Sequence, residues 1–141
     1  MAARMLRVHV ENDPAGNDVF RITPERFAAA AKRVPALARR LAVTYGEGMT
    51  ADGGLRDAEV LVTGHFPACD LRGLAPRLAW IQSTNAGVED VLTILPAGVA
   101  LTNASGVHGL KGACLDVFFD NARRYLAGRP LENTIDPKLG Y

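Results

Sequence analysis

Short apolar runs alternate with helix-forming segments along this chain, and that alternation admits little other than a parallel sheet covered by helices. The run Ala58-Glu59-Val60-Leu61-Val62-Thr63 is the clearest case. It is β-branched and apolar without regular polar alternation, as a strand buried on both faces requires. Four more runs read as strands: Met5 to Val10, Leu41 to Tyr45, Leu78 to Gln82 and Val99 to Thr102. After the first of them, Thr23 as N-cap, Pro24 at the first helical position and Glu25 near the positive end of the dipole announce a helix. Its apolar face uses Phe27, Ala30, Ala31, Val34 and Leu37, with Pro35 ending or kinking it. Val88 to Leu95 predicts a short helix stopped by Pro96 and Gly98.

The chain then changes character. From Leu110 to Leu126, the residues Leu110, Cys114, Val117, Phe118, Ala122, Tyr125 and Leu126 recur at helical spacing, and Arg123, Arg124 and Gly128 supply a C-terminal stop. The tail Arg129 to Tyr141, with Pro130, Pro137 and Gly140, predicts an extended strap. Five strands with short crossovers predict an α/β, three-layer, flavodoxin-like parallel sheet ordered 2-1-3-4-5, one domain over residues 1–141. Ligands of such sheets bind beyond the carboxyl ends of the strands. The loops Glu11 to Asn17, Gly64 to Pro67, Ser83 to Glu89 and Asn103 to Gly109 are therefore where a site is expected.

Composition narrows the function classes. With 48% apolar and 22% charged residues the chain is ordinary globular material. Its formal charge of +1 leaves no basic footprint for nucleic acid. No apolar run is long enough for a bilayer span, and the start Met1-Ala2-Ala3-Arg4-Met5-Leu6 lacks the apolar core of a signal peptide. A cytoplasmic protein without membrane or nucleic-acid partners is expected. Cys69 and Cys114 belong to no CxxC or Cys/His cluster and read as reduced packing residues.

Three ordered segments carry a family resemblance: Ala58-Glu59-Val60-Leu61-Val62-Thr63-Gly64, Leu78-Ala79-Trp80-Ile81-Gln82-Ser83-Thr84-Asn85-Ala86-Gly87-Val88-Glu89, and Val99-Ala100-Leu101-Thr102-Asn103-Ala104-Ser105-Gly106-Val107-His108. They resemble the D-isomer-specific 2-hydroxyacid dehydrogenases, and Asn121 to Asn133 resembles the helix and strap that end those enzymes. The resemblance covers most of residues 58 to 141; the first 57 residues are compatible but less distinctive. It implies a substrate-binding domain from which the inserted NAD(P)-binding domain has been deleted. In those enzymes the coenzyme domain enters after the "GVH" segment and leaves before the last helix. Here the helical pattern resumes at Leu110, leaving no room for a domain of about 100 residues or more. Residues 109–119 form the junction, and Leu110 to Phe118 resembles the "GAxLDVF" strand of the coenzyme domain. A helical bridge is the alternative, and the tidy excision reads as deliberate.

The resemblance implies that Gly64, His65, Phe66, Ala86, Gly87 and Val88 line the substrate cleft. Backbone N–H groups there would hold the carboxylate of a 2-oxo or 2-hydroxy acid such as glyoxylate, pyruvate or hydroxypyruvate. Gly87 equally permits a tight strand-to-helix turn. Asn103 matches a cleft asparagine of the family, although capping the following turn is its simpler employment, and Ser105 shares that ambiguity. His65 could face the cleft, although a partly exposed packing or hydrogen-bonding histidine is its simpler reading; Trp80 and Phe66 read as core. His9 and His108 show no carboxylate or cysteine partner at ligand spacing, and Glu89 and Asp90 suit a helix start. No catalytic residue, cofactor or metal is assigned to this chain. The family's arginine, glutamate and proline-preceded histidine belong to the absent domain, and no Pro-His pair occurs. Gly46-Glu47-Gly48-Met49-Thr50-Ala51 fits a G-x-G-x-x-A pattern, but Gly53 and Gly54 break any helix after it, so a flexible turn is expected.

Two other readings compete. An autonomous flavodoxin-like binding or signalling module would need acids after the first strand, which Glu11 and Asp13 could supply. It would also need an aspartate after the third strand, where Thr63-Gly64-His65 stands, and Asn12-Asp13-Pro14-Ala15-Gly16 makes a poor flavin-phosphate loop. A homodimer or domain swap through surface uncovered by the deletion is the other.

Overall fold

The computed structural model describes residues 4–16, 21–49, 52–84, 89–104 and 111–139. The elements are β1 (Leu6–Asn12), α1 (Pro24–Ala31), α2 (Pro35–Ala38), β2 (Leu41–Glu47), a 3-10 segment (Asp52–Asp57), β3 (Val60–Thr63), α3 (Leu71–Leu74), β4 (Trp80–Ser83), α4 (Glu89–Leu92), β5 (Ala100–Thr102) and α5 (Lys111–Leu126). All strand pairs are parallel and the order is β2-β1-β3-β4-β5, the flavodoxin-like arrangement expected from the alternation. β1 and β2 run further toward the carboxyl edge than the apolar runs predicted, because Glu11, Asn12, Gly46 and Glu47 extend the ladder without being apolar.

Strand alternation sorts the core into two layers. Leu6, Val8, Val10, Val60, Val62 and Trp80 face Phe27, Ala30 and Ala31 of α1 and Leu115, Phe118, Phe119 and Ala122 of α5. Leu61, Ile81 and Leu101 face the other way, against Met49, Leu55, Leu71 of α3 and Val91 of α4. Aromatic contacts lock the first layer: Trp80 stacks on Phe118 and on Tyr125 at centroid separations of 5.6 and 5.5 Å, and Phe27 meets Phe119 edge-on at 5.5 Å.

Thr23 caps α1 by accepting from the Arg26 N–H at 3.1 Å. The expected single helix is two: α1 stops at Ala31, and Pro35 opens α2 because its ring cannot continue a helix from the preceding turn. α3 was not legible in the sequence; Asp70 caps it through the Gly73 N–H at 3.2 Å. Of the junction, residues 111–119 lie in α5, so the bridge is helical and the resemblance of that stretch to a strand is not realised; residues 109 and 110 and the Cys114 side chain lie outside those described. The strap bends at Glu132 and Asn133, turns at 137–139, and between them pairs antiparallel with β5 through one bridge, Thr102 to Thr134: Asn103 N–H donates to Asn133 O at 3.1 Å and Ile135 N–H to Leu101 O at 2.9 Å. It covers an edge that would otherwise present open backbone groups. Among the described residues no helix is long and apolar enough to cross a membrane.

Candidate functional site at the carboxyl ends of the strands

The connections leaving β1 and β3 diverge. From β1 the chain passes to α1 in one layer, and from β3 it passes to α3 in the other. Since β1 and β3 are neighbours, their carboxyl ends lie at the switch of direction, where ligands of open α/β sheets bind.

Two side chains meet across it. Asp13 follows β1 in a turn closed by Gly16 N–H to Asp13 O at 3.0 Å, and its Oδ1 accepts from the Ala15 N–H at 2.9 Å. His65 follows β3, with its N–H donated to Thr63 Oγ1 at 3.1 Å. The His65 Nδ1 lies 3.6 Å from Asp13 Oδ2, and the two side chains are 30% and 42% exposed. Arg21 closes the flank, donating to the Asp13 carbonyl at 3.4 Å and pairing with Glu47 at the end of β2. Asn12 ties the returning chain by exchanging two bonds with the Ile22 backbone at 2.9 and 2.8 Å.

The residues expected in the cleft divide as follows. Gly64, His65 and Phe66 sit together at the exit of β3, with Phe66 half-buried against the second core layer. Asn103 stands at the exit of β5, separated from β3 by β4. It is buried, its N–H bonds the strap, and its carbonyl accepts from Gln82 Nε2 at 3.3 Å. Ala86, Gly87, Val88, Ser105 and His108 lie outside the described residues. Thr84 N–H to Thr63 O at 3.0 Å joins the exits of β3 and β4. Asp13 was weighed in the sequence only as one of the acids after the first strand that a signalling module would need. Its pairing with His65 follows from the strand order, which sets the ends of β1 and β3 side by side.

Beneath the strand ends lies a buried network. Trp80 Nε1 donates to Thr102 Oγ1 at 2.8 Å, and Thr102 donates to Gln82 Oε1 at 2.7 Å. Asn121 of α5 donates to the same Gln82 oxygen at 3.2 Å and exchanges bonds with the Glu132 backbone at 3.0 and 2.8 Å. Trp80 is fully buried, as its reading as core required.

His9 corrects the sequence reading. Glu11, two residues along β1 and so on the same face, is its carboxylate partner: Nε2 to Oε1 is 3.0 Å, with side chains 0% and 1% exposed. Glu11 is thus an interior residue of β1, and its Oε2 accepts the Met49 N–H at 3.0 Å. His9 Nδ1 meets Thr44 Oγ1 at 2.7 Å. In the G-x-G-x-x-A stretch, Gly46 and Glu47 belong to β2, Gly48 and Met49 have φ of 82° and 54° in the turn that follows, and the 3-10 segment comes after. Thr50 and Ala51 lie outside the described residues.

Burial, then Asp70, raises the half-buried Cys69 thiol above its ordinary range, which makes it a poor nucleophile. Among the described residues no group of three or more His, Cys, Asp or Glu side chains could hold a metal ion. A groove of about 350 Å³ between α1 and α5 is lined by Arg21, Ile22, Arg26, Ala29, Ala30, Arg33 and Leu115. It lies on a helical layer, shares Arg21 with the flank of the strand-end site, and holds Arg33 paired with Asp116 at 2.7 Å.

Comparison with known proteins is sparse. No family model matches the chain. No solved structure matches it either. A stretch of 60 residues, 42% of the chain, is 47% identical to a Streptomyces coelicolor protein described as an uncharacterized protein in the mprR 3' region. The match spans 21% of that protein, about a fifth of its length.

Proposed function

We propose that this chain is the substrate-binding domain of a D-2-hydroxyacid dehydrogenase, holding a small 2-oxo or 2-hydroxy acid at the carboxyl ends of its strands without transferring hydride. The supporting observation is one of placement. The three segments that resemble the family are β3, β4 and β5, adjacent in the sheet, and their exits lie along one edge. Of the loops that the resemblance assigns to the substrate, the one holding Gly64, His65 and Phe66 leaves β3 beside the switch of direction, where ligands of open α/β sheets bind. Thr102 ends β5 and Lys111 opens α5, an interval far too short for a dinucleotide-binding domain of the usual size. The ligand would be held by backbone N–H groups, more weakly than by the charge-assisted pairing of an arginine. The protein works in the cytoplasm on this reading, and a second copy covers surface that the coenzyme domain would otherwise bury.

Calorimetric titration with glyoxylate, pyruvate and hydroxypyruvate tests the reading. Weak saturable binding is expected, with no consumption of NADH or NADPH above background. Absence of binding by all three acids, or clear turnover of the dinucleotide, overturns it.

A further inference from the structure

We propose that Asp13 and His65 form a carboxylate–imidazole dyad that removes a proton from the carbon beside the carbonyl of a bound 2-oxo acid, giving keto–enol exchange without a cofactor. The proposal rests on the reading that the strand ends bind such acids. Its geometry is independent of that reading.

The dyad spans the switch between β1 and β3, so its two members come from the loops that diverge to opposite layers. Each is fixed by its own turn: Asp13 Oδ1 by the Ala15 N–H, and the His65 backbone by Thr63. With Oδ1 engaged, Oδ2 remains to face the imidazole at 3.6 Å. That separation exceeds a hydrogen bond. Catalytic hydrogen bonds are commonly long in unliganded proteins and tighten around substrate. Once substrate draws the pair into hydrogen-bond contact, a carboxylate opposite Nδ1 favours the Nδ1–H tautomer and leaves the lone pair on Nε2, the arrangement of a general base. The ring is 30% exposed and so is open to a ligand. His9 makes the contrast: it has a closer carboxylate, at 3.0 Å, but at 0% exposure it is sealed from any ligand.

The step conserves atoms and electrons. Nε2 takes a proton from C3 of the 2-oxo acid, the C–H pair becomes the C=C bond of an enolate, and the negative charge moves to the carbonyl oxygen. Asp13 stabilises the imidazolium while it exists. The proton, or a solvent proton exchanged for it, then returns to C3. Nothing is oxidised or reduced. Pyruvate and hydroxypyruvate carry C3 protons; glyoxylate has no C3 and can only bind.

The test is loss of the pyruvate methyl proton signal in D2O, followed by NMR with the intact chain, and pyruvate and glyoxylate binding measured in parallel. Exchange faster than in buffer with an equal concentration of free imidazole is expected. His65→Gln should lower the rate about 100-fold or more, the usual contribution of a general base. Asp13→Asn should lower the turnover rate by a larger factor than it changes the pyruvate dissociation constant, and Asp13→Glu should restore part of that rate. A wild-type rate equal to the imidazole control with pyruvate bound overturns the dyad but not the binding site. Full exchange by His65→Gln, or by Asp13→Asn, also overturns the dyad. Failure to bind either acid overturns the binding site and the dyad together.

Discussion

Gly46 on β2 lies opposite Glu11 on β1, so near that a Cβ at position 46 would stand 2.8 Å from Glu11 Oε1 and 3.0 Å from His9 Nε2. The β2 backbone therefore forms one wall of the cavity that the His9–Glu11 pair fills. Gly46→Ala is expected to destabilise the fold by about 1–3 kcal/mol, the usual cost of overpacking. In a Glu11→Ala background the same change should cost less, since the obstructing carboxylate is gone. Urea denaturation of the four proteins measures the difference.

The pair itself is an all-or-nothing feature. Glu11→Leu or His9→Phe alone leaves a buried polar partner without its mate, and a loss of about 3–5 kcal/mol is expected from each. The double variant, with two apolar groups in place of the pair, should cost clearly less than the sum. In the Glu11→Leu protein the Met49 amide loses its acceptor, so its hydrogen exchange should accelerate toward that of the surrounding turn.

The sheet order was legible because every strand is a short apolar run and each crossover is short. The cap of α1 was legible because Thr23-Pro24-Glu25 is a local signal. Features made by contacts between distant segments were not. Glu11 and His9 look like polar intrusions in a strand until β2 and the Met49 turn are laid beside them. Pro35 was read as an end or a kink, and only the backbone shows it opening a second helix. The strap was read as extended from its prolines, whereas its bend at Asn133 and its bridge to β5 accompany contacts with Asn121, which holds Glu132 from across the helix layer. Of the strand-end site, His65 was marked and Asp13 was marked for a different chemistry. Their meeting is a consequence of strand order, a property no single loop carries.

Two tyrosines make stability depend on alkaline pH. Burial, then the bond its hydroxyl donates to Glu59, pushes Tyr125 up to about 12, and burial, then Glu25, pushes Tyr45 up to about 12. In the unfolded chain both ionise near 10.0. Their folded values are raised, so the stability they contribute is complete below pH 10 and is lost as pH climbs toward 12. Denaturation midpoints across that window should fall, and should fall less steeply in Tyr125→Phe and Tyr45→Phe.

Asn121 holds the strap from beneath. Its carboxamide serves the Glu132 N–H, the Glu132 carbonyl and Gln82 Oε1, and it is fully buried. Asn121→Leu strands those groups at about 1–3 kcal/mol for each that water cannot reach. The expected signature is local as well as global: faster hydrogen exchange at Glu132, and earlier proteolytic cutting between Ala127 and Ile135 than in the wild-type protein.

Binding of a 2-oxo acid at the strand ends is the claim on which the functional reading stands, and amide NMR of the labelled chain titrated with glyoxylate addresses it residue by residue. Saturable shifts at Gly64, His65 and Phe66, with smaller ones at Asn103, are the expected result. Saturable shifts confined to the α1–α5 groove around Arg26 and Arg33, or none at any concentration, would contradict it.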